Sequence, residues 1–248
     1  MKELDNYFHN IHKMNQALAP IYNASKKINQ IIKPITNIFN STAFQLIKNL
    51  QELPERIKIS LLLLANEGWF IDLDMPLSTI SKLKKLLEEE NFQETEKYLC
   101  NYFDSRIERI EKTLITEFPH RAKIIQSAFN AHKNKEYILS IPILLAQVDG
   151  ICKELTNIEF FRYDGQRKNY VQELALETYE EIFLLPFSEL SSINISQKKR
   201  PENFSKLNRH MIIHGESLDY GTYENSLKVI SLISYISTIL KDGSSREL

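Results

Sequence analysis

Glycine is scarce, with six in 248 residues. All-β and doubly wound chains use glycine freely in tight turns, because it reaches positive φ without steric cost, so this shortage points to helices. Cysteine is scarcer still. Cys100 and Cys152 stand apart, with no Cys-x-x-Cys pair and no Cys/His cluster. That excludes a disulfide framework and a cysteine-rich zinc site, and suits a reducing compartment. Long apolar runs are missing too. The two most apolar segments, 59–65 and 138–148, fall well short of the roughly 20 residues that span a bilayer. The opening MKELDNYFHN lacks the apolar segment of a signal peptide. We therefore expect a cytoplasmic chain with no membrane partner. Nor is there an excess of charge, since the formal net charge is −1. A nucleic-acid site would have to be a local basic patch.

What remains is ordinary globular material, 43% hydrophobic and 25% charged, enough for a sizeable core. Its apolar residues recur at helical spacing. Residues 1–53 carry a loose pattern (Ile11, Met14, Leu18; Ile28, Ile31, Ile32; Phe44, Ile47, Leu50) punctuated by Pro20, Pro34 and Pro54. This stretch is either a docking arm or part of the main body. Residues 55–67 read as a buried helix ending near Gly68, after which Trp69 and Phe70 pin a turn to the core. Helices follow at 78–90 and 93–117, and Pro119 suits the first turn of another. Residues 137–155 are the most apolar helix, with Pro142 near its first turn. Residues 157–169 read as a polar loop and 170–184 as a helix stopped by Pro186. A helix at 202–214 ends near Gly215, and a closing helix covers 223–241. No segment alternates like a strand. The expectation is an all-α helical bundle with an N-terminal helical region, 1–118, and a C-terminal domain, 119–248.

The chemistry concentrates in Asn208-Arg209-His210-Met211-Ile212-Ile213-His214-Gly215. His210 and His214, one turn apart, share a helix face. Glycine can end the helix in a left-handed conformation and leave His214 at a rim. Histidine suits proton transfer near neutrality because its unperturbed pKa is about 6.5. Arginine carries a permanent charge in a planar fork that matches phosphate oxygens. The plain alternative is an arginine on a solvated face and a histidine favoured by the helix dipole.

The Arg-x4-His spacing of Arg209 and His214, with polar His210 after the arginine, resembles the HEPN superfamily of metal-independent ribonucleases. So do the loop with Asp219-Tyr220-Gly221, the apolar closing helix and the core-helix string SIPILLAQVDGICKEL. The resemblance covers about residues 119–248. It implies a bundle of about four helices, a homodimer paired through the motif helices, and RNA cleavage between them at Arg209, His214 and His210. It also implies a setting in bacterial defence or toxin–antitoxin systems, with an antitoxin or defence protein as a possible partner, and no cofactor. A non-catalytic HEPN module that binds nucleotide or RNA, or serves as a scaffold, is the alternative.

Around the motif, Lys198, Lys199, Arg200 and Lys206 form a basic cluster suited to RNA phosphates, or else a solvated face. Asn208, and Gln147 and Asp149 in the apolar helix, are candidate orienting residues; Asp149 could hold Arg209 or a motif histidine. Trp69, Phe70, Phe160 and Phe161 read as core. His-x3-His also has zincin spacing, with Glu216 and Asp219 nearby, but lacks the glutamate that would follow the first histidine, so no metal is assigned. His9, His12, His120 and His132 have no constellation around them.

Overall fold

The structure, a computed structural model, describes residues 42–162, 165–174 and 179–244. The helical pattern of residues 1–41 lies outside the described residues, as do Asp164 in the expected polar loop and 175–178 in the expected helix after it. Among the described residues there are ten α-helices, two 3-10 turns and no strand. In order, the helices are α1 (Thr42–Asn66), α2 (Leu77–Glu88), α3 (Phe92–Asp104), α4 (Ile107–Glu117) and α5 (Ala122–Lys133). They continue with α6 (Tyr137–Thr156), α7 (Gln166–Glu173), α8 (Tyr179–Ser188), α9 (Arg209–Ile213) and α10 (Tyr223–Ser244). The protein is an all-α bundle.

The chain divides into two compact units, 1–58 and 59–248. The sequence suggested a boundary at 118. Leu99 and Phe103 of α3, and Ile107, Ile110 and Leu114 of α4, are buried; α3 packs on α10, and α4 on α5 and α10, which come after it. In the first unit, the described residues 42–58 are helical. Pro54 does not begin a new helix there, because α1 runs through it.

In the second unit, α6 and α10 form the central pair, and α6 also packs on α5 and α9. The apolar positions that suggested these helices are the ones they bury: Ile141, Leu144, Leu145, Val148 and Ile151 in α6, and Leu227, Ile230, Ile233 and Ile236 in α10. Pro142 lies one turn further into α6 than expected. It deprives the Ile138 carbonyl of its helical donor, and the Tyr220 hydroxyl donates to that carbonyl instead, at 3.1 Å. A tyrosine from the loop after the motif thus completes the core helix.

Pro186 behaves similarly. It does not stop α8, which continues to Ser188. One step along the ladder, the buried Tyr235 hydroxyl donates to the Phe183 carbonyl at 2.5 Å and accepts from the Phe187 N–H. Insertion of a side-chain group into the helical ladder accommodates the interruption. The helix expected at 93–117 is two helices broken at Ser105–Arg106, and α7 begins inside the expected loop at 157–169. Among the described residues no helix is long and apolar enough to cross a membrane.

Candidate functional site

The motif helix is shorter than the sequence pattern suggests. Of the expected 202–214, only Arg209–Ile213 is helical. Asn208 is the reason. Its backbone is extended, at φ −144° and ψ 124°, and its side-chain oxygen accepts from the Met211 N–H at 3.1 Å. Asparagine offers the backbone this cap in place of a further helical turn. Its amide nitrogen donates to the carbonyls of Ser192, at 2.7 Å, and Ile195, at 3.0 Å. The Arg209 N–H bonds the Ile193 carbonyl at 3.0 Å. Asn208 is 2% exposed. It therefore ties the start of the motif to the turn at 191–195, and so orients Arg209 through the backbone.

The other end closes as expected. Gly215 has φ +71°. The Gly215 N–H bonds Ile212 O at 3.2 Å, and the Glu216 N–H bonds Met211 O at 2.8 Å. This is a Schellman closure, which a left-handed glycine permits. It leaves His214 exposed and turns the chain back, so that Glu216 meets the face that carries His210. The rings of His210 and His214 lie 4.3 Å apart, tilted by 45°.

Glu216 links His210 to the basic cluster. One carboxylate oxygen is 2.8 Å from the Arg200 guanidinium and the other is 3.2 Å from His210 Nδ1. The hydrogen bond from Arg200, with the charge of that guanidinium, holds the Glu216 carboxyl below the usual carboxylate range against the opposing effect of burial. Arg200 is thereby engaged, with a side chain only 8% exposed. Lys206 pairs with Glu67 at 2.7 Å. Arg200 and Lys206, both expected at RNA phosphates, thus face carboxylates. Lys198 and Lys199 stay together on the 3-10 turn Gln197–Lys199.

Beside Arg209 and His210 is a pocket of about 180 Å³, whose wall includes Phe161, Ile193, Asn194 and Lys199. Phe161 is half-buried, with the Arg209 guanidinium carbon 5.3 Å from its ring centroid. Trp69, Phe70 and Phe160 are buried as the sequence suggested, but Phe161 faces this pocket. Asp149 accepts from the Phe161 N–H at 3.2 Å. It thus holds the backbone of the residue whose ring borders Arg209. Gln147 serves neither Arg209 nor the histidines directly. It accepts from Arg121 at 3.1 Å, and Arg121 also binds the Gly150 carbonyl and Glu154.

Sequence reasoning missed Asn194, read Phe161 as core, and named Glu216 only as a carboxylate near the two histidines. A signal for Asn194 exists: Ser191, Ser192 and Asn194 stand among the apolar residues Leu190, Ile193 and Ile195, and the structure buries residues 191–194. Among the described residues no group of three or more His, Cys, Asp or Glu side chains converges as a metal ligand set. Comparison of the chain with family models, curated proteins and solved structures finds no match.

Proposed function

We propose that this chain is a HEPN-type, metal-independent endoribonuclease of a bacterial defence or toxin–antitoxin kind. It acts as a homodimer whose two motif helices face one RNA phosphate. The reading is carried by one observation: a short helix, capped by Asn208 and closed by Gly215, sets an exposed His214 against His210, with Arg209 alongside on the wall of a pocket.

The chemistry follows from these groups. The ribose 2′-OH attacks the adjacent phosphorus, and His214 of one copy takes its proton. The bond from phosphorus to the 5′-oxygen breaks, and His214 of the second copy protonates that oxygen. A 2′,3′-cyclic phosphate and a free 5′-OH result. The two copies of Arg209 hold the equatorial oxygens as charge builds on the phosphorane. Each positioned acid or base contributes about 10²–10⁴-fold. The apolar rim supports pairing of two copies. Ile213 and Leu218, on either side of His214 in the chain, are 45% and 89% exposed.

The test is cleavage of a short RNA in EDTA with analysis of the ends. Retained activity and 2′,3′-cyclic phosphate are expected, and a 2′-deoxy residue at the cut site should abolish the reaction. Cleavage of the deoxy substrate would mean that water is the nucleophile, and would overturn the mechanism.

A further inference from the structure

Asn194, on the wall of the pocket beside Arg209, carries a buried unsatisfied donor whose identity the geometry fixes. Asn194 is 8% exposed, and its side-chain oxygen accepts from the Ser191 N–H at 2.8 Å. An amide oxygen that must face an N–H leaves the nitrogen at the other end, so the usual O/N ambiguity is resolved. That nitrogen, Asn194 Nδ2, is buried without a partner among the described residues. A buried amide with no partner is costly, and native proteins keep few of them. Asn194 itself is one of the residues that line the pocket.

The rest of the wall narrows the ligand. Phe161 and Ile193 are flat or apolar surfaces, Lys199 and Arg209 bring only donors, and Ser196 and His210 complete the polar part of the wall. Phe161 already carries the Arg209 guanidinium near its ring, so the ring's place relative to the scissile phosphate is set by the residue that holds that phosphate. At about 180 Å³ the pocket is smaller than the ~300 Å³ at which drug-sized sites begin. It offers room for one heterocycle and no more.

We infer that this pocket binds the base next to the scissile phosphate, and that Asn194 selects bases presenting a carbonyl acceptor, guanine and uracil, over adenine and cytosine, whose corresponding position is an amine. The inference rests on the ribonuclease reading for the identity of the neighbouring phosphate. The base stacks on Phe161, its carbonyl accepts from Asn194 Nδ2, and its phosphate meets Arg209. Guanine and uracil bring an oxygen where adenine and cytosine bring another donor, and two facing donors repel.

The experiment measures binding of the four ribonucleoside 3′-monophosphates to the full chain by calorimetry, alongside single-turnover cleavage of RNAs that differ only in the base 5′ to the cut. The guanosine and uridine nucleotides should bind about five- to tenfold more tightly than the other two, the size of one neutral hydrogen bond with a donor clash avoided. Asn194→Ala should level the four. Because this variant also removes the acceptor for Ser191, Asn194→Asp is the companion. It keeps that acceptor and replaces the donor with an oxygen, so the preference should invert towards adenine and cytosine. Equal binding of all four nucleotides to the wild type overturns the base pocket, as does an unchanged preference in Asn194→Asp. A base preference in binding without any cleavage would sink the ribonuclease reading and leave the pocket standing. Cleavage that depends on His214 with no base preference would do the reverse.

Discussion

Replacing Asn208 by alanine isolates the device that holds the site. The side chain makes three hydrogen bonds at 2.7–3.1 Å, one as the cap of α9 and two to carbonyls in the 191–195 turn. Loss of an asparagine cap costs about 1 kcal/mol, and each of the two other bonds about 1 kcal/mol. The sum is about 3 kcal/mol, a large share of the roughly 5–15 kcal/mol that keeps a domain folded. A five-residue helix has no stability of its own, so the damage centres on Arg209 and His214. Asn208→Asp divides the effect. It keeps the cap oxygen but points a carboxylate at two carbonyls, so it should be no more stable than the alanine variant. Urea unfolding followed by circular dichroism measures both. An alanine variant that loses less than about 1 kcal/mol, or an aspartate variant as stable as wild type, would refute the tie between the motif and the turn.

Other outcomes follow from the buried groups. His132 is 4% exposed, bonded to Ser226 at 2.7 Å and flanked by Tyr137 and Tyr223. Burial lowers its pKa, against the raising influence of Asp104. The unfolded chain therefore binds its proton more readily than the folded one, and stability should fall as pH drops below the ordinary histidine value near 6.5. Thermal melts from pH 7.5 to 5 should show that fall, and His132→Gln should flatten it. Burial pushes both Cys100 and Cys152 up to about 12, so neither thiol should react with a disulfide reagent at pH 8 until the protein unfolds. A fast-reacting native thiol would contradict their placement. Lys199→Ala should weaken RNA binding and reduce its salt dependence by about one counterion.

Helical class and core were legible because they rest on local periodicity. The same pattern that marks Leu144, Val148 and Ile151 buries them. Gly215 was legible because a helix terminus needs a left-handed residue there, and Asn208 was marked as orienting by its place before Arg209. Errors arose where distant partners override local rules. Pro186 reads as a stop, but Tyr235, far along the chain, supplies the hydroxyl that lets α8 continue. The motif helix reads as thirteen residues, until Asn208 finds two carbonyls at 192 and 195 and begins the helix itself. Nor does any periodicity announce that the chain reversal at Gly215 brings Glu216 to Arg200 or that Glu67 meets Lys206. Phe160 and Phe161 are indistinguishable as letters, although one is core and the other borders the pocket.

The central claim is that His214 transfers a proton during RNA cleavage while Arg209 holds the phosphate. Single-turnover cleavage at saturating protein tests it most directly, comparing the wild type with His214→Ala, folding of each being checked by circular dichroism. The account predicts a loss of about 10²–10⁴-fold in rate with RNA affinity nearly unchanged. Full single-turnover activity in a folded His214→Ala protein would contradict it.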